Sequence, residues 1–469
     1  MNALDTEQTS PENTSFDHHV SFWQALQVWV RVAIYSFGGP AGQIAVMHRI
    51  VVEEKRWVSE NRFLHALNYT MLLPGPEAQQ LATYLGWLLH GIKGGLTAGI
   101  LFILPGFLSI MVLSILYATY QDVTLVQALF YGLKPAVMAV VLEAVLRIGK
   151  RTLQNRVLQG VAGLAFVAIF FFDAPFPLII VAAGLIGAIG GRRWERYFYV
   201  LKGHEVEDEA VTTNQMERQM ERQLAQHIRP SLQRTLLTLV ICLLLWFTPL
   251  LLLWLWPGSG NAFTQIGLFF SRAAVVTFGG AYAALAYIAQ EAVQTYGWLQ
   301  PGEMLDGLGM AETTPGPLIQ VVQFVGFMGA YRNPGNMPPL LAGVLGAVLT
   351  TWVTFVPCFL WIFLGAPYIE KLRGQRPLSM VLSAITAAVV GVILNLAAWF
   401  SLNVLFGQVD EVYWGPLRLY VPQWDTLDWV ALAIAVASFV ALFRFKVSML
   451  WTLAGGALAG ILYYLWLAG

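Results

Sequence analysis

Two arginines interrupt apolar segments of this chain, and they do so at equivalent places. Arg31 opens the stretch Arg-Val-Ala-Ile-Tyr-Ser-Phe-Gly-Gly39, and Arg272 opens Arg-Ala-Ala-Val-Val-Thr-Phe-Gly-Gly280. A guanidinium inside a membrane segment costs about 2.5 kcal/mol or more, so it faces a cavity, a partner or an anion. Its planar fork offers parallel N–H donors to an oxyanion, a geometry that a lysine ammonium does not reproduce. The competing reading is that each arginine snorkels to the interface or pairs with a nearby glutamate.

The displacement from 31 to 272 is 241 residues. The same displacement carries Trp57 onto Trp298 and Pro74-Gly75-Pro76 onto Pro315-Gly316-Pro317. Glycines and prolines held in register over so long a stretch mark two copies of one unit. A helix that starts after Gly38-Gly39, Gly279-Gly280, Gly75 or Gly316 points unpaired N–H groups and partial positive charge at the break. Four such N-termini, two per copy, enclose an anion at the midplane. Against this stand close helix packing for the Gly-Gly pairs and a single kinked span for each Pro-Gly-Pro.

Acids and amides complete the set. Glu77 follows the first Pro-Gly-Pro directly, and Glu312 lies three residues before the second. Glu143 sits in a long apolar run whose counterpart carries Asn395. Carboxylates held away from water at such depth are candidates for proton coupling; the plainer alternative is an ion pair or an interfacial place, above all for Glu143. Lys134, before Pro135, reads as interfacial. Gln79 and Gln320 are one repeat pair, either hydrogen-bonding to substrate or packing.

These residues need elements to hold them. Hydrophobic residues make up 57% of the chain and charged ones 12%, which excludes a soluble domain. Apolar runs at Leu96–Tyr117, Leu125–Leu146, Leu236–Trp256, Leu340–Leu364, Leu378–Phe400 and Trp429–Phe443 mostly reach the roughly 20 residues that a span requires. They are continuous, not alternating, so a helical bundle is expected and not a barrel. The arms Phe63–Leu73 and Glu77–Leu89 are too short to span and suit re-entrant half-helices.

Basic residues assign sides. Arg49, Lys55, Arg56 and Arg62 precede the first Pro-Gly-Pro, whereas the link Gln290–Glu303 carries none. The bare Gln121-Asp122 loop corresponds to one with Lys371, Arg373 and Arg376; the Arg147–Arg156 loop corresponds to one with Arg418 alone. The hairpin turns at 173–177 and 444–446 reverse likewise. The two copies are therefore expected upside down relative to each other, with the basic loops and the amino terminus in the cytoplasm.

The expected fold is an all-α polytopic membrane protein. Two inverted-topology repeats carry broken, re-entrant helices at Phe-Gly-Gly and Pro-Gly-Pro. The expected divisions are a polar tail (1–21), a first repeat (22–191), a cytoplasmic amphipathic linker (192–234), an extra transmembrane helix (235–261) and a second, inverted repeat (262–469). The tail lacks the basic start of a signal peptide and is expected to be retained.

Enzyme classes find little here. There is no phosphate-binding glycine loop, CxxC, haem ligation or HExxH, and Cys242 and Cys358 lie within apolar runs. No cofactor, no metal and no nucleic acid is expected; a homodimer is left open.

The motifs Ser-Phe-Gly-Gly-Pro-Ala-Gly (36–42), Glu-Glu-Lys-Arg-Trp (53–57), Leu-Pro-Gly-Pro-Glu-Ala-Gln-Gln-Leu-Ala (73–82) and Gly-Ile-Leu-Phe-Ile-Leu-Pro-Gly-Phe (99–107) resemble those of the chromate ion transporter family. So do Thr-Phe-Gly-Gly-Ala-Tyr (277–282) and Thr-Pro-Gly-Pro (314–317), and the length matches the family's two-unit form. The resemblance implies export of chromate across a bacterial inner membrane, with sulfate as the related dianion. A sulfate or other oxyanion transporter, or an anion channel, remains the alternative.

Overall fold

The computed structural model describes residues 20–37, 39–198, 232–255, 262–278, 280–368 and 376–468. Gly38, Gly279, Lys371, Arg373, most of the linker 192–234 and nearly all of the tail 1–21 lie outside the described residues.

The chain is a multi-pass helical membrane protein. Its first half runs α1 (Phe22–Tyr35), α2 (Gly39–His48), α3 (Glu60–Thr70), α4 (Glu77–Tyr120), α5 (Thr124–Thr152), α6 (Arg156–Phe172), α7 (Phe176–Arg193) and the single turn α8 (Glu195–Phe198). A further helix, α9 (Leu232–Leu255), leads to the second half. There follow α10 (Ala262–Val276), α11 (Ala281–Gln290), α12 (Glu303–Thr313), α13 (Val321–Arg332), α14 (Pro339–Gly365), α15 (Arg376–Leu405), α16 (Trp429–Phe443) and α17 (Met449–Ala468). Between α15 and α16 lies an antiparallel hairpin, β1 (Val409–Trp414) and β2 (Leu417–Pro422), which the helical reading of the sequence did not foresee.

Among the described residues seven helices are long and apolar enough to cross a bilayer, in α4, α5, α7, α9, α14, α15 and α17. Large apolar side chains face outward, such as Leu164, Ile189 and Trp466, as lipid contact requires. Of the seven, α15 is the most enclosed by protein and α9 the least.

The halves share backbone irregularities as well as sequence. Gly39 and Gly280 have φ of 71° and 93°, Gly75 and Gly316 have 110° and 112°, and Arg56 and Gly297 have 52° and 62°. All three pairs are separated by the sequence displacement. Each short second helix also widens into a π-helical turn, at Arg49–Glu54 and Glu291–Thr295. In α4 the helix breaks again at His90-Gly91, where the short arm becomes a full span.

Packing exchanges partners between the halves. Helix α5 of the first packs on α16 and α17 of the second, and α15 of the second packs on α6 and α7 of the first. Small residues allow the approach: a Cβ on Gly132 would meet the backbone of Gly456 and Gly460, and one on Gly391 the backbone of Ala162.

The loops gather at two ends. At one, Arg418 of β2 is buried, bonded to Asp173 at 2.9 Å and to the carbonyl of Ile169 at 3.0 Å, while Gln290 donates to Asp173 at 2.7 Å. Three chain segments with few basic residues thus meet. Elsewhere Asn155 donates to the Tyr197 carbonyl, and Thr235 meets Tyr368.

Candidate functional site

Helix α1 begins in a capping box, with Ser21 and Gln24 each bonding the other's backbone, and it ends at Ser36. Helix α10 ends at the corresponding Thr277. In both, the hydroxyl turns back to the carbonyl four residues earlier: Ser36 to Val32 (2.6 Å), Thr277 to Ala273 (2.7 Å). The last carbonyls of these helices then lack an intrahelical donor.

The donor comes from the other half. Gly75 N–H donates to the Thr277 carbonyl at 3.0 Å, and Gly316 N–H donates to the Ser36 carbonyl at 2.9 Å. Proline has no N–H, so the central glycine supplies the one donor of each Pro-Gly-Pro. Its φ above 100° turns that donor toward the partner half, a conformation L side chains rarely adopt. Each Pro-Gly-Pro break thus crosses the Phe-Gly-Gly break of the other copy.

A helix with an internal proline lies against each crossing. Gly106 of Pro105-Gly106-Phe107 lies against Pro315 and Gly316, and Cys358 of Pro357-Cys358-Phe359 lies against Gly75. These tripeptides are separated by 252 residues, because the second half is longer after its short arm. The same 252 carries Glu143 onto Asn395. Two glutamines tie the breaks further, Gln80 donating to the Pro74 carbonyl at 2.7 Å and Gln43 to that of Gly316.

Four helices start at this place: α2, α11, α4 and the short turn Leu318–Gln320 that leads into α13. Their N-terminal N–H groups lend this region partial positive charge. A small cavity of about 20 Å³ lies beside it, bordered by Gly75, Pro76, Thr277, Gly280, Thr354 and apolar side chains of α10 and α11. The Thr354 hydroxyl is buried and lacks a partner among the described residues.

Two carboxylates face the crossings. Glu77 occupies the first turn of α4, and its Oε1 lies 3.4 Å from where a Cβ on Gly280 would stand. Glu312 is 1% exposed; its Oε1 accepts the Tyr282 hydroxyl at 2.6 Å, and its Oε2 has no partner among the described residues. Tyr282 also reaches toward Gly39, so it spans from one crossing to the other. From α5, Arg151 acts electrostatically on Glu77 and Arg147 on Glu312.

The residues expected from sequence divide accordingly. Gly39, Gly75, Gly280, Gly316, Glu77 and Glu312 come together. Gln79 and Gln320 are buried nearby but bond their own surroundings, Gln79 to Thr83 and Gln320 to Gln323 and Thr351. Glu143 pairs with Arg147 at 3.4 Å and is partly exposed. The arginines stand apart. Arg31 forks onto Glu54 at 2.7 and 3.4 Å on an exposed face, and Arg272 shares an exposed face with Leu268 and Val275. Sequence reasoning passed over Ser36, Gln43, Gln80, Tyr282, Gly106 and Cys358. Only the hydroxyl shared by positions 36 and 277 left a signal in the repeat itself.

Comparison with known proteins agrees with this two-unit architecture. The Chromate transporter family matches residues 23–188 and again 264–461. The chain belongs to this family. The second match starts 241 residues after the first. A chromate transport protein of Pseudomonas aeruginosa is 31% identical over 80% of each chain, and one of Cupriavidus metallidurans is 28% identical over 79% of this chain and 80% of its own. A probable chromate transport protein of Synechococcus elongatus is 27% identical over 80% of this chain and 83% of its own. No solved structure matches.

Proposed function

We propose that this protein is a secondary transporter that exports chromate across the bacterial inner membrane, holding the dianion where the two pairs of helix breaks cross. The observation that carries this reading is the reciprocal pair of hydrogen bonds, Gly75 to Thr277 and Gly316 to Ser36, with four helix N-termini around it. A tetrahedral dianion suits several converging N–H donors. Backbone donors at a two-fold crossing also present one site to two pathways, as alternating access needs.

The loop arrangement supports inverted copies. Segments poor in basic residues meet at Arg418 and Asp173, while segments on the basic side meet near Asn155 and Tyr197. In this reading the basic end and the amino terminus face the cytoplasm. Arg147 and Arg151 then stand on the approach from that side. Glu77 and Glu312 cap the N-terminal region in the empty state, and proton binding to either relieves repulsion when the dianion enters. Outward movement of two negative charges gains roughly 4.6 kcal/mol per 100 mV, so the membrane potential suffices to drive export.

The test is flux in proteoliposomes under an imposed potential, comparing chromate with sulfate. Saturable, potential-driven chromate movement with sulfate competing is the expected result. Absence of saturation would replace the carrier by a channel, and sulfate movement without chromate would reassign the substrate.

A further inference from the structure

A second polar cluster lies away from the crossings, at the start of α12 toward the Arg418 end. Glu303 is held by Arg332 through two bonds of 2.7 Å and also accepts the Gln300 backbone N–H at 2.7 Å. Its oxygens are saturated, so its charge is fixed in place. Asp306, one turn further in, is 2% exposed. Its Oδ2 accepts the Tyr117 hydroxyl at 2.9 Å and faces Lys134 Nζ at 3.4 Å. Its Oδ1 is buried and has no partner among the described residues.

We propose that Asp306 is a proton-binding residue of the transport cycle, and that its protonation releases Lys134 and frees α12 to move at this end of the bundle. The inference rests on the transporter reading above. The asymmetry within the cluster carries it. A carboxylate with one unsatisfied buried oxygen is the member that gains most from a proton, since the neutral acid needs no second cation. Lys134 keeps 32% of its side chain exposed, so it can return to water when the pair breaks. Arg332 and Glu303 stay paired whichever state Asp306 adopts.

The pair links the halves. Lys134 and Tyr117 belong to α5 and α4 of the first, and Asp306 to α12 of the second. Lys134 also lies against Gly302, which caps α12. From Asp306 to Thr313 is about two turns, or ~10 Å, so α12 runs as one rigid piece from this cluster to the crossing at Gly316. Other elements packed on α12 bring no further charge to Asp306. Helix α13 supplies Arg332, already engaged, and α17 supplies Tyr463 and Tyr464, which face Tyr131. Leu318–Gln320 carries no titratable group.

Three variants test this in the full chain. Infrared difference spectra of purified protein between pH 5.5 and 8.5 report protonated carboxyls without requiring transport. A band lost in Asp306→Asn but kept in Glu303→Gln is expected; a band unchanged in Asp306→Asn overturns the proposal. In proteoliposomes at fixed potential, Lys134→Gln removes the cation that holds Asp306 ionised. The midpoint of the pH–flux profile should therefore rise by about one unit or more. A purely structural Lys134 would lower flux without moving the midpoint, and an unmoved midpoint also overturns the proposal. If the wild-type protein carries no oxyanion under any gradient, the transporter reading fails instead, and the infrared band still decides whether Asp306 takes a proton.

Discussion

Alanine at the two central glycines should have unequal effects, although the glycines are repeat partners. Both hold φ near 110°, so either substitution incurs backbone strain of about 1–3 kcal/mol. What the new methyl meets differs. On Gly316 it would stand 2.9 Å from both Cα and N of Gly106, backbone atoms within α4 that cannot move alone. On Gly75 it would stand 3.0 Å from Cys358 Sγ and 3.1 Å from Gln80 Nε2, side-chain ends that can turn aside. Overpacking against fixed atoms adds about 1–3 kcal/mol, so Gly316→Ala should weaken its crossing by roughly 5- to 150-fold more than Gly75→Ala. The assay is chromate flux normalised to protein in the membrane, together with thermal unfolding in detergent. Adding Cys358→Ala to Gly75→Ala should restore part of the flux, because it removes the nearest obstacle. Equal flux and equal unfolding temperatures in the two single variants would refute this account of the crossings.

Other consequences follow from the same geometry. Glu77→Gln and Glu312→Gln should each flatten the pH dependence of flux; an unchanged profile in both would remove these carboxylates from proton coupling. Arg31→Lys should leave chromate affinity unchanged, since Arg31 is occupied by Glu54 in a half-exposed pair worth at most about 1 kcal/mol, and a tenfold loss of affinity would return it to the site. Arg418→Ala should lower stability by about 1–3 kcal/mol, seen as a drop in unfolding temperature, because the carbonyl of Ile169 loses a buried donor. Single cysteines at 175 and 416 should react with an impermeant reagent from outside and those at 155 and 445 should not; reaction at all four would end the inverted scheme.

Much was legible in the sequence because it depends on local or additive properties. Hydropathy sums over a segment, so the spans in α4, α5, α9, α14 and α15 were readable, whereas Trp429–Phe443 proved shorter than a span. Pro-Gly-Pro prevents regular helix through missing donors and positive φ, so the breaks at 74–76 and 315–317 were readable as well. The displacement between Arg31 and Arg272 established that two units exist. It could not say how the units touch, because equal positions in two copies carry no information about which faces meet. Only the tertiary structure pairs Gly75 with Thr277 and Gly316 with Ser36, contacts made by backbone groups that all residues but proline carry. The arginines show the converse. Their type and place in apolar segments made them conspicuous, yet the fold sets Arg31 within reach of Glu54, and the guanidinium is taken up by that carboxylate. Lys134 was visible only as a lysine before a proline, and Asp306, just past the link Gln290–Glu303, drew no reading at all. They are 172 residues apart, and the fold made them a pair by packing α12 of one half against α5 of the other.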